Sequence, residues 1–97
     1  MRDYELMLIS RAELEEEQQE ALLNRANSLI AEYGGTVDRT DIWGKRRLSY
    51  PIKHQADGYY TVLNFKGDNP LIAELDRVLS INDEVLRFKI FVLEPHE

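Results

Sequence analysis

Side chains able to do chemistry are few in this chain and poorly spaced for it. His54 stands in a turn-like stretch and His96 at the last residues, neither with a second ligand at metal-binding spacing. Ser10, Ser28, Ser49 and Ser80 sit in no nucleophile-elbow context. The absence of cysteine removes disulfides, thiolate zinc sites and cysteine nucleophiles, and suits a reducing compartment. Glu15-Glu16-Glu17 has no matching cleft acid and reads as a solvated helix face. Gly34-Gly35 follows a helical pattern and lacks the G-x-G-x-x-G spacing of a phosphate cradle. These residues predict no enzyme, no cofactor, no metal and no small-molecule substrate.

What remains is the chemistry of charge. Lys45-Arg46-Arg47 lies within Trp43-Gly44-Lys45-Arg46-Arg47-Leu48-Ser49-Tyr50-Pro51-Ile52-Lys53. Consecutive cations on a strand can reach phosphates on both of its sides, and the arginine fork grips phosphate bidentately. Trp43 and Tyr50 bracket the cations and can stack on bases or wedge against protein. The plainer reading is a solvated edge strand whose charges block aggregation. The whole chain has a net charge of −6, unfavourable for meeting phosphates. Its distribution matters more: residues 1–35 sum to −5, residues 36–54 to +3, and residues 55–97 to −4. A basic island sits in an acidic chain.

Hydrophobic spacing then supplies the elements that must carry the island. Tyr4 to Ile9 is apolar on both faces, as in a central strand. Arg11 to Tyr33 turns to helical spacing, with Leu14, Leu22, Ala26, Leu29, Ile30 and Tyr33 on one face and glutamates in the first turns, where the helix dipole favours them. Gly34-Gly35 ends that helix. Thr36 to about Lys45 is a charged, β-branched edge strand, and regular pairing should fail by Pro51, which has no N–H to donate. Residues 53–58 read as a turn and Tyr59 to Lys66 as a third strand. Asp68-Asn69-Pro70 opens a second helix bearing Leu71, Ile72, Leu75, Val78 and Leu79. Val85 to Leu93 closes as a fourth strand, with Leu86, Phe88, Ile90 and Val92 on one face and Val85, Arg87, Lys89 and Phe91 on the other.

The order βαββαβ predicts an α+β, ferredoxin-like sandwich over residues 1–97 as a single domain, with four antiparallel strands and two helices on one face. Leu6, Leu8, Leu63, Phe65, Phe88 and Ile90 should face the helices. Met7, Ile9, Tyr60, Val62, Arg87, Lys89 and Phe91 should face outward, an apolar patch rimmed by cations and therefore an interaction surface. No segment approaches the length of a membrane span and the start carries no signal pattern, so the expectation is a cytoplasmic protein with no membrane partner.

Three stretches resemble the bacterial small-subunit ribosomal protein S6 family. Met1-Arg2-Asp3-Tyr4-Glu5 is similar to its Met-Arg-x-Tyr-Glu start. Trp43 to Ile52 is similar to its W-G-x-R-x-L-A-Y-P-I signature, followed by Gly58-Tyr59 at the third strand. Leu79-Ser80-Ile81-Asn82-Asp83-Glu84-Val85-Leu86-Arg87 is similar to its l-x-i-x-d-x-V-l-R stretch. The resemblance implies a structural constituent of the small ribosomal subunit, binding the central domain of 16S rRNA together with ribosomal protein S-eighteen. By matching position it implies rRNA contacts at Arg2, Arg46, Arg47 and Arg87; Lys45 and Lys89 are added from charge and geometry. It places the partner protein around Trp43, Tyr50, Pro51 and Ile52, to which outward-facing Tyr60 is joined. Ser49 stands where the family more usually has alanine. The ending Leu93-Glu94-Pro95-His96-Glu97 is shorter than the acidic tails of some members, so glutamate addition at the C-terminus is not expected. Two other readings fit the element order: an RRM-like single-stranded RNA reader, although Gly58 to Phe65 lacks the expected aromatic pattern, and a small dimeric ligand-binding regulatory domain.

Overall fold

The computed structural model of the chain describes residues 1–93, so His96 and the expectation about the tail fall outside the described residues. The elements run β1 (Arg2–Arg11), α1 (Glu16–Glu32), β2 (Thr36–Ile52), β3 (Gln55–Gly67), α2 (Asn69–Ser80) and β4 (Val85–Leu93). The strands form one antiparallel sheet in the order β2-β3-β1-β4. β1 is therefore paired on both sides, which is what its two apolar faces require. Among the described residues no helix is long and apolar enough to cross a membrane.

Both helices cover one face of the sheet. The main core joins Leu6, Leu8, Leu63 and Phe65 to Leu22, Ala26 and Ile30 of α1 and to Leu71, Leu75 and Leu79 of α2, with Phe88 and Ile90 packed against it. Phe65 is fully buried and stacks on Tyr4 with ring centroids 5.6 Å apart. Tyr33, expected on the buried face of α1, is 40% exposed at the helix end. There its hydroxyl donates to Glu74. The Arg77 hydrogen bond holds the Glu74 carboxyl below the usual carboxylate range, and the Glu74 charge raises the Tyr33 phenol.

The helix also starts later than its apolar spacing predicts. Arg11 belongs to β1: its N–H donates to Glu84 O at 2.9 Å and its Nε to Asp83 O at 2.8 Å. The chain needs residues 12–15 to leave the sheet, and α1 opens after Glu15, whose N–H donates to Gln18 Oε1 at 2.9 Å. Buried Gln19 ties the two elements together, accepting from Ser10 Oγ at 2.6 Å and donating to Arg11 O at 2.9 Å.

The fourth strand corrects a second expectation. Ile9 pairs with Arg87 but Ser10 pairs with Val85, so Leu86 is an extra residue in a β-bulge. The bulge exchanges sides at the strand's start. Val85 joins the helix-side core, and Leu86 joins Ile9 and Leu48 in a second small cluster, packed against Ile52 and Tyr60 on the other face.

The β2–β3 hairpin departs most from its sequence reading. Both strands continue beyond their predicted ends and close through only Lys53 and His54, with φ of 51° and 65°. Two positive-φ positions are what a tight hairpin with right-handed twist demands, normally met by Asn-Gly. Lysine and histidine hide that turn from sequence. His54→Gly is expected to raise the unfolding free energy by roughly 0.5–1 kcal/mol, the left-handed penalty less the chain entropy of glycine. A urea titration should show a higher midpoint with unchanged slope, whereas a lower midpoint would mean that the imidazole makes a compensating contact.

Candidate nucleic-acid interface

Three register shifts shape β2, and the last two build the site. Gly44, with φ of 79°, takes the left-handed position of a bulge between Ile42 and the next paired residue. The extra residue sends Trp43 onto Tyr60, ring planes 12° apart and centroids at 6.1 Å. Pairing resumes as Gly44↔Tyr60, Lys45↔Tyr59, Arg46↔Gly58 and Arg47↔Asp57. Alternation then puts Arg46 on the open face with Tyr60, and Lys45 and Arg47 on the helix side with Tyr59 and Asp57.

The regular ladder breaks between Arg47 and Ile52, as Pro51 predicts, but the strand does not end there. β2 supplies Leu48, Ser49, Tyr50 and Pro51 where β3 supplies only Ala56. The surplus lets the chain arch over the open face. Leu48 turns inward and is 8% exposed against Ile9. The close approach requires Gly58, because a Cβ there would meet Ile9 Cγ2 at 2.5 Å and Leu48 Cδ2 at 3.2 Å. Farther along, Arg87 Nη1 donates to Tyr50 Oη at 2.7 Å and Lys53 Nζ to Val85 O at 3.2 Å. The hairpin arm is thereby clasped to β4, across the whole width of the sheet from its own edge.

Beneath the arm lies an open groove of about 350 Å³, lined chiefly by Met7, Ile9, Tyr50, Tyr60, Arg87 and Phe91. Tyr50 and Trp43 are 57% and 48% exposed. Among the described residues no carboxylate stands within ion-pairing distance of Arg46, Arg47, Arg87 or Lys89. Other cations are engaged: Lys45, beside Arg46, is 3.9 Å from Asp57, and Lys66, at the far end of the sheet, bridges Asp3 at 3.3 Å and Asp38 at 2.8 Å. Those carboxylates hydrogen-bond the Lys66 ammonium and raise its pKa. Four exposed cations without an ion pair among the described residues, Arg46, Arg47, Arg87 and Lys89, thus lie toward the hairpin end, while Arg2 and Arg25 are exposed elsewhere.

The sequence-predicted residues thus separate into groups. Tyr50, Ile52, Tyr60, Arg87 and Lys89 line one groove, with Trp43 and Arg46 beside it on the same face. Lys45 and Arg47 share that edge but point to its other side. Pro51 is exposed on the arm. Arg2, paired with Gly67, lies at the other end of the sheet, about 23 Å along β1 from Ile9 at ~3.3 Å per residue. Sequence reading placed Met7, Ile9 and Phe91 on the outward face without assigning them to the site, and their alternation was the available signal. Leu48 and Lys53 it missed, because their roles depend on the arch.

Chemically, the arrangement offers phosphate-binding cations beside aromatic rings. Ser10 Oγ is committed to Gln19 and His54 lies exposed at the hairpin turn. Among the described residues no three metal-ligating side chains cluster.

Known proteins supply a comparison for this geometry. The family described as "Ribosomal protein S6" matches residues 3–92. A protein of Symbiobacterium thermophilum named "Small ribosomal subunit protein bS6" is 49% identical over 90 residues, covering 93% of this chain and 95% of the relative. One of the same name from Clostridium botulinum is 46% identical over 94 residues, covering 97% and 100%. The crystal structure of 30S ribosomal protein S6 from Thermotoga maritima superposes with a TM-score of 0.89 at 32% identity, over 95% of this chain and 87% of that one. A protein from Arabidopsis thaliana, at 14% identity and a TM-score of 0.59, shares the fold alone.

Proposed function

The chain belongs to the ribosomal protein S6 family, and from that premise we propose that it binds the central domain of 16S rRNA jointly with ribosomal protein S-eighteen. It is a ribosomal protein of the small subunit, working in the cytoplasmic ribosome and not as an enzyme. The observation that carries the reading is the family match across nearly the whole chain. The cluster of Arg46, Arg47, Arg87 and Lys89 toward the hairpin end of an otherwise acidic molecule supports it.

On this reading Arg46, Arg47, Arg87 and Lys89 contact rRNA phosphates at the hairpin end, with Lys45 beside them once it leaves Asp57. Arg2, at the far end, makes a separate contact and extends the RNA footprint along the molecule. The partner protein meets the surface presented by Trp43, Tyr50, Pro51, Ile52 and Tyr60. Because the two sets interleave on one arm, RNA and partner touch adjacent side chains, and each orders what the other needs. The pair is therefore expected to bind a central-domain rRNA fragment about tenfold tighter than this chain alone, within the usual range of coupling free energies. Filter binding or calorimetry at fixed salt, with and without S-eighteen, measures this. An affinity that the partner leaves unchanged would overturn joint recognition.

A further inference from the structure

The groove under the hairpin arm differs in charge from the molecule around it. The chain carries 18 acidic residues, yet none of the groove's lining residues is a carboxylate. Met7, Ile9 and Tyr60 form its floor and Tyr50 its roof. Arg87 and Lys89 stand on the rim, two residues apart on one strand and so on one face, about 6.6 Å from each other along it. Both are exposed, and among the described residues neither has a carboxylate at ion-pairing distance. An apolar floor alone would accept an aliphatic side chain. Aromatic walls with two rim cations select something flat and negatively charged.

We propose that this groove takes a single unpaired nucleotide of the RNA, its base between Tyr50 and Tyr60 and its phosphates at Arg87 and Lys89. The proposal rests on the rRNA-binding reading and specifies which part of the RNA enters this site. A base inside a helix presents no ring face, so the nucleotide must come from a loop, bulge or junction. The volume, about 350 Å³, falls in the range that holds small ligands. Tyr50 is 57% exposed, so one side of the ring can cover the base while the other is left for the partner protein. A protein docked there closes the roof over the nucleotide, which gives the joint binding a structural basis.

The test titrates adenosine 5′-monophosphate, adenosine and inorganic phosphate separately into the isotopically labelled chain and follows it by NMR. The nucleotide at millimolar concentration is expected to shift Met7, Ile9, Tyr60 and Arg87 together, with adenosine and phosphate acting more weakly. Tyr50→Ala and Arg87→Gln should each weaken binding of the nucleotide, and of the central-domain rRNA, about tenfold, as loss of one stacking or phosphate contact does. Tyr50→Phe should retain it, and Arg25→Gln on α1 should change neither. Shifts confined to other residues, or none up to 20-fold above ~1 mM, the lower edge of ordinary ligand affinity, would overturn the proposal. So would a groove that responds to a short acidic peptide with one aromatic side chain and ignores the nucleotide. If rRNA still binds with its salt dependence while the nucleotide leaves the groove untouched, the pocket fails and the function stands. If the unmodified chain and its partner do not bind rRNA, both fail.

Discussion

Reversing two charges, Arg46→Glu with Arg47→Glu, is expected to lower affinity for central-domain rRNA at least about a hundredfold, since a hydrogen bond to a charged group contributes ~1.5–3 kcal/mol and two are lost. The logarithmic salt slope should become shallower by about 2, one counterion for each phosphate no longer contacted. Both side chains are exposed and, among the described residues, free of ion pairs, so the fold should tolerate the change. The two guanidinium groups leave β2 on opposite sides, as the Gly58 and Asp57 pairings require. Equal effects of the single reversals would mean that RNA wraps the β2 edge. An effect at Arg46 alone would confine it to the open face. Unchanged affinity and salt slope in the double variant would remove the basic island from the RNA surface altogether.

The second large effect concerns stability. Phe65→Ala is expected to cost about 3–5 kcal/mol, the usual range for emptying a buried phenylalanine site. Phe65 is fully buried and lies between Tyr4 on β1 and Val37 on β2, its register neighbours on either side. Its removal thus opens a hole under β3, an inner strand held by ladders to β1 and β2, so the backbone cannot collapse inward. A domain this size has roughly 5–15 kcal/mol in total, so a melting temperature lower by about 15–30 °C should follow. A loss below about 1 kcal/mol would contradict the packing of Tyr4 on Phe65 as the centre of the core.

Why some of this was legible in sequence and some was not follows from how far apart the cooperating residues lie. Tyr4 to Ile9, Gly34-Gly35 and Asn69-Pro70 report their own local conformation, and strand, cap and helix start stand where those residues place them. Arg11 carries a helix-compatible side chain but is held in the sheet by Asp83 and Glu84, which no window around it contains. Leu86 alternates correctly with its neighbours, yet the bulge against Ile9 and Ser10 turns it to the other face. Lys53-His54 makes a two-residue turn without the glycine or asparagine that would announce it. In the site, the cations could be found by charge counting. That Tyr50 meets Arg87 could not, because the meeting depends on unequal strand lengths between Arg47 and Ile52.

The clasp that closes the groove joins residues 32 and 37 positions apart, Lys53 to Val85 and Tyr50 to Arg87. The partners lie in β4, which is made after the arm. A ribosome lays down this chain from the N-terminus, so the hairpin arm exists well before anything can fasten it. Until β4 emerges and pairs with β1, the arm has no far anchor and the groove has neither its rim cations nor one of its walls. The groove is therefore complete only after β4 has paired with β1, which makes the arm and its clasp a late step in forming this sheet.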